Sequence, residues 1–323
     1  MVHGRVFVDG RVPIGTRILL HGLKRAMKAS PAEVASETFQ RRVDGFLVAP
    51  GKRRRIVLGI DDIRFRLRRR TRRNGAFFGI LSLPAERMKY LDNQSDAVLP
   101  PLSMRLLRSG DESVTQSSIH GTIHMVSPRG VSVISDIDDT IKLTEATQRR
   151  EMLANTFLRP FAQVDGMAQL YQSWSEQGCA FHYVSSSPWQ LYDPLAELCA
   201  ECNFPAGSMH LKYFRVRDEM FKRFRPIRRN SKVGIIAGIV KRLPERQFVL
   251  VGDSGEKDPE IYRFLAKRFP NQIRAILIRN LEVRPLDKRR LAKLQALPQR
   301  MILRVFSNTD EVQDVICKIR EAR

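Results

Sequence analysis

The rhythm of apolar and polar positions changes near residue 128. Before it, short β-type runs recur at 5–8, 16–20, 45–48, 55–59 and 76–83, separated by Gly, Asp and Asn. Residues 63–69 alternate: Ile63, Phe65 and Leu67 fall on one face, Arg64, Arg66 and Arg68 on the other. That pattern predicts a half-buried antiparallel strand with a basic outer face. Asn74-Gly75 ahead of an apolar run is a hairpin signal. Residues 30–40 read as a short helix or a long loop, and 84–101 as irregular. No internal repeat is present. The expectation for residues 1–127 is a small all-β, sandwich-like domain.

From Val131 onward, strand and helix patterns alternate. A β-branched run at 131–134 is suited to a strand buried on both faces. Helices are predicted over 145–158, 167–177, 195–202, 232–242 and 259–268. Strands are predicted over 179–184, 247–251 and 273–278, and the segments 288–297, 301–306 and 310–320 complete the run. This order predicts an α/β domain with a doubly wound parallel sheet over residues 128–323.

Composition adds partners to that picture. The 323 residues are 43% hydrophobic and carry a net charge of +22; mean hydropathy is -0.29. No apolar run approaches the length of a membrane span. The opening MVHGRVFVDG lacks the apolar core of a signal peptide, so the expected location is the cytoplasm, with peripheral membrane contact allowed. The charge points to an anionic membrane, a phosphorylated substrate or nucleic acid, or to a merely solvated surface. Cys199 and Cys202 form a C-x-x-C without a second pair, which suits core packing better than zinc.

The chemistry gathers at strand ends. In VSVISDIDDT, Asp136, Asp138, Asp139 and Thr140 directly follow the buried run. Crowded carboxylates repel one another, and such a cluster persists where a cation or a reaction needs it. The alternative for Asp139 or Thr140 is a helix cap. A second acidic group, Asp253, Glu256 and Asp258, follows the strand predicted at 247–251. Two parallel strands ending in acids can converge on one Mg²⁺, which takes oxygen ligands. Between them, Ser185, Ser186 and Ser187 end another strand and can bind phosphate oxygens or cap a helix. Lys232 opens a helix and could reach a phosphate, or sit on the surface.

Together these stretches resemble the haloacid dehalogenase-like phosphatases. D136-I-D138-D139-T140 is similar to their first motif, Ser185 to the second, Lys232 to the third and G252-D253-x-x-x-x-D258 to the fourth. ISDIDDTIK, YVSSSPWQLYD and FVLVGDSGEKDPEIY further resemble the catalytic domains of actin-patch-associated phosphatidate phosphatases and their bacterial relatives. The resemblance implies an Mg²⁺-dependent hydrolysis of phosphatidate through an aspartyl-phosphate. Asp136 would be the nucleophile, Asp138 the general acid and base, and Ser185 and Lys232 the phosphoryl contacts. Asp136, Asp138 (through its carbonyl), Asp253 and Asp258 would serve the metal. Ser186, Lys212 and Arg215 are the expected substrate contacts. Residues 210–232 hold many cations with interleaved aromatics, which suits a cap that meets anionic lipid. The strand face Arg64, Arg66 and Arg68 is the next candidate for that contact. Two other readings are a phosphatase for nucleic-acid ends or soluble phosphomonoesters, and a non-catalytic module binding anionic membranes.

Overall fold

The structure is a computed structural model; it describes residues 2–8, 14–60, 63–82, 102–107, 119–212 and 232–322. Among the described residues the amino-terminal region contributes eight strands. They are β1 (Val2–Arg5), β2 (Phe7–Val8), β3 (Ala49–Pro50), β4 (Val57–Ile60), β5 (Ile63–Arg66), β6 (Ala76–Gly79), β7 (Leu102–Leu107) and β8 (Ile119–Ile123). They form a four-stranded antiparallel sheet in the order β5-β4-β7-β8 and two small pairs, β1-β6 and β2-β3. Ile63 and Phe65 are half-buried while Arg64 and Arg66 are exposed, as the alternation predicts. Gly75 turns with φ +78, but the strand it opens, β6, pairs with β1 and makes no hairpin with its predecessor.

The all-β expectation does not describe this region, because among the described residues three helices lie within it: Ile14–Met27, Pro31–Ala35 and Glu37–Leu47. The runs at 16–20 and 45–48 are parts of helices. Leu20, Leu23 and Met27 recur at helical spacing and meet the core. Ser30 and Glu33 form a capping box with Pro31 in the first turn, and the Ser36 hydroxyl accepts from Phe39 N–H to start the next helix. These helices join the larger core: Met27, Phe39 and Val43 share one apolar cluster with Val131, Tyr171 and Leu191. Arg42, buried, donates to the carbonyls of Thr156 (2.9 Å) and Arg159 (2.5 Å), which end the helix Arg149–Phe157.

The remaining strands are β9 (Gly130–Ser135), β10 (Ala180–Pro188), β11 (Gly207–Lys212), β12 (Arg246–Asp253), β13 (Ile273–Arg279) and β14 (Ile302–Phe306). They form one parallel sheet in the order β11-β10-β9-β12-β13-β14. Edge strand β11 went unpredicted; only two apolar residues mark it, Met209 and Leu211, and both enter the core. Central strands are buried on both faces. Val131 and Val133 of β9 and Val249 and Val251 of β12 enter one cluster, while Ile134, Phe248 and Leu250 enter the other. Helices Met167–Glu176 and Tyr192–Glu201 cover the first face; Lys232–Arg242 and Asp258–Arg268 cover the second. The strand order reverses between β9 and β12, where a crevice opens beyond the carboxyl ends.

Candidate active site

That crevice receives the acids of both strands. Asp136 follows β9, and its backbone N–H donates to Val251 O of β12 at 2.9 Å. Asp253 ends β12, and Asp258 opens the next helix. One oxygen from each of Asp136, Asp253 and Asp258 lies within 4.8 Å of the others, and all three residues are buried. Gly252 allows the close approach, since a Cβ there would stand 2.8 Å from the Asp258 carboxyl carbon and the Tyr262 ring. Lys232 Nζ pairs with Asp136 Oδ1 at 2.7 Å and with Asp258 Oδ1.

Burial raises the Asp136 carboxyl well above the ordinary range; Lys232 opposes that, while Asp258, Asp253 and Asp138 add to it. Burial and then Asp258 push Asp253 up to about 7. Asp253 Oδ1 accepts from Gly255 N–H (2.6 Å) and Glu256 N–H (2.9 Å). The other oxygens, Asp136 Oδ2 and Asp253 Oδ2, are buried with no hydrogen-bond partner among the described residues. Three carboxylates against one ammonium leave an uncompensated negative charge among oxygen-only donors. These residues fit a divalent hard cation such as Mg²⁺.

Asp138 occupies the opposite wall. Its Oδ2 accepts from the Ser185 and Ser187 hydroxyls, each at 2.8 Å, and its Oδ1 from Thr144 Oγ1 at 2.9 Å. Buried Lys142 lies 3.1 Å from the same Oδ1. Burial raises the Asp138 carboxyl, but Lys142 and the three hydroxyls outweigh it and hold the group below its ordinary value. Its side chain stays out of the three-carboxylate cluster. Asp139, at φ +55, caps no helix start: it accepts from the N–H groups of Thr144, Glu145 and Ala146 (2.6–2.8 Å), and the helix expected from 145 begins at Arg149.

A cleft of about 640 Å³ opens on this site; Ser185, Ser186, Lys212, Lys232, Lys257 and Arg284 are among its lining residues. The structure thus brings together the expected residues Asp136, Asp138, Ser185, Ser186, Lys212, Lys232, Asp253 and Asp258. Arg215, and with it residues 213–231 of the basic, aromatic-rich segment, lies outside the described residues. Lys241, the alternative to Lys232, is exposed at the far end of the same helix. The sequence reading missed Lys142 and Thr144, whose only signal is polarity beside the acidic motif. Of the three serines it offered as hydroxyl donors it chose Ser185, and the structure places Ser187 on Asp138 as well.

Residues 131–280 match the family described as the catalytic domain of phosphatidate phosphatase APP1. This segment belongs to that family. Phosphatidate phosphatase APP1 of Saccharomyces cerevisiae is 43% identical over 159 residues, which are 48% of this chain and 26% of the yeast protein. An uncharacterized protein of Schizosaccharomyces pombe is 28% identical over 211 residues, 63% of this chain and 34% of that one. The chain therefore spans about a quarter to a third of the length of these relatives. All of the site residues placed in the cleft except Arg284 fall inside the APP1 catalytic segment. Among the described residues no helix is long and apolar enough to cross a membrane.

Proposed function

We propose that the protein is a phosphatase of the haloacid dehalogenase-like type that hydrolyses phosphatidate to diacylglycerol and inorganic phosphate, with Mg²⁺ bound at Asp136, Asp253, Asp258 and the Asp138 carbonyl. The observation that carries this reading is the buried, unpartnered Asp136 Oδ2 beside Asp253 and Lys232 at the sheet's switch point. A bound Mg²⁺ supplies charge that lets a carboxylate and a phosphate approach.

Asp136 Oδ2 is the nucleophile. It forms a bond to phosphorus as the ester P–O bond breaks, giving an aspartyl-phosphate and an alkoxide. Lys232, held at Asp136 Oδ1, orients the attacking group and faces the transferred phosphoryl oxygens. The alkoxide takes its proton from the Asp138 side chain. In the second half, the Asp138 carboxylate accepts a proton from water as the water oxygen attacks phosphorus and frees Asp136. The hydrogen bonds seen here favour ionised Asp138, the form needed for the second half. When phosphoryl oxygens accept from the Ser185 and Ser187 hydroxyls, Asp138 loses two of the donors that keep it charged. Its affinity for a proton then rises for the first half. Lys142 and Thr144 keep its other oxygen in place.

The direct test offers phosphatidate vesicles, phosphorylated oligonucleotides and sugar phosphates side by side, with Mg²⁺ and with EDTA. Phosphate release from phosphatidate alone, dependent on Mg²⁺, is the expected result. Preference for oligonucleotide ends or soluble esters would move the substrate to that class while keeping the chemistry.

A further inference from the structure

Neither the cleft nor the parallel sheet uses the two basic runs of the amino-terminal region. KRRR at 52–55 and RRRTRR at 68–73 are exposed at every Lys and Arg, as are Arg64 and Arg66 on β5. The backbone fastens the two runs side by side: Arg53 N–H donates to Thr71 O at 3.1 Å, and Thr71 N–H to Arg54 O at 2.8 Å. The Thr71 hydroxyl is buried, accepts from Arg54 N–H at 2.8 Å and donates to Gly51 O. One inward-facing threonine thus anchors a strip whose other members all face solvent.

With Arg64 and Arg66 along β5, the two runs make eleven exposed cationic side chains on and beside the β4–β5 pair. None of them forms an ion pair among the described residues, and the acids of this stretch, Asp61 and Asp62 included, fall outside those residues. Like charges packed this densely repel one another, and an anionic partner relieves that repulsion. Ten of the eleven are arginines, whose planar guanidinium groups grip phosphate oxygens two at a time. Beyond the second run the chain turns at Gly75 into β6, where Phe78 is 42% exposed and the following Ile80 is 73% exposed.

We propose that this surface docks the protein onto an anionic lipid bilayer. The chemistry of the surface favours lipid over single-stranded nucleic acid. The only aromatic side chain of residues 51–75 is Phe65, half-buried against the small apolar cluster, and the exposed ring beyond them, Phe78, already lies under the Arg242 guanidinium at 5.7 Å, so the basic runs present no free ring for stacking on bases. The choice of lipid also rests on phosphatidate as substrate, which is itself an anionic lipid. Clustered Lys and Arg beside a charged leaflet bind by adding their individual attractions, within a Debye length.

The test is co-sedimentation of the full chain with vesicles of phosphatidylcholine alone and with added phosphatidylserine, at low and high salt. Neither lipid is a phosphomonoester, so the result stands whether or not phosphatidate is hydrolysed. The wild type is expected to bind only the phosphatidylserine vesicles and to release in high salt. A variant with Arg64, Arg66, Arg69 and Arg70 changed to Gln should bind at least about a hundredfold more weakly, since four charges near the leaflet each contribute. The same four changed to Lys should keep binding within about tenfold, which separates lost charge from lost folding. Turnover of a soluble aryl phosphate should stay within twofold for both variants. Equal binding by the Gln variant and the wild type would overturn the proposal. So would wild-type indifference to phosphatidylserine, or displacement from vesicles by a stoichiometric oligonucleotide.

Discussion

Asp253→Asn is expected to make the metal-free protein more stable while destroying its activity. Asp253 is fully buried, and burial with Asp258 raises its carboxyl from the ordinary 3.8 to about 7. A group with a raised folded-state value binds a proton more tightly in the native than in the unfolded chain. Its full stability is therefore present below about pH 4 and is lost as pH rises through about 7. Three pH units correspond to at most about 4 kcal/mol. Asparagine cannot ionise, and its carbonyl can still accept from Gly255 and Glu256 N–H as Oδ1 does now. Allowing for imperfect accommodation of the amide, a gain of about 1–2 kcal/mol at pH 8 is expected, falling toward zero near pH 4. Urea unfolding in EDTA at intervals between pH 4 and 8.5 measures this. The wild type should weaken across the interval relative to the variant. Saturating Mg²⁺ should restore the wild type by binding the ionised native site and leave the variant little changed. Parallel pH profiles in EDTA, or a wild type blind to Mg²⁺, would refute the account of the site as a charge-strained cation cradle.

Asp136→Asn should abolish phosphate release; a rate within about tenfold of wild type, only about 1.4 kcal/mol in barrier, would remove Asp136 as nucleophile. Asp138→Asn should slow alkyl phosphates far more than aryl phosphates in steady-state assays, because an aryl oxide leaves with little protonation. Gly252→Ala should raise the Mg²⁺ needed for half-maximal rate at least about tenfold, because its Cβ would displace the Asp258 carboxyl and the Tyr262 ring.

The parts of the fold that were legible in the sequence are those where local pattern and tertiary role agree. Strands β9 and β12 are β-branched runs buried on both sides, and the acids after them have no solvent-exposed alternative use, so pattern and site coincide. The runs at 16–20 and 45–48 mislead because three consecutive apolar residues fit either period. For the second run the cap at Ser36 carried the missing information, because it opens the helix that ends at Leu47. Lys142 was invisible for a different reason. A lysine between apolar neighbours reads as surface, and only the folded loop shows its ammonium turned inward to Asp138. The helix predicted from 145 starts late because Glu145 holds a left-handed φ of +55, in a loop whose N–H groups at 144–146 are gathered by Asp139.

The seam between the amino-terminal helices and the catalytic sheet bears on how the molecule can be dissected. The family match begins at residue 131, yet Arg42 lies over the Phe161 ring at 3.7 Å, Phe46 packs on Phe157 at 5.8 Å, and Arg41 reaches Glu197. Cutting the gene where the similarity starts would bare Phe157 and Phe161 and strip the carbonyls of Thr156 and Arg159 of their donor. The smallest fragment worth expressing therefore reaches back to the helix Ile14–Met27, whose Leu20, Leu23 and Met27 meet the same core, well ahead of the first matched strand. Homology and autonomy have different borders in this chain.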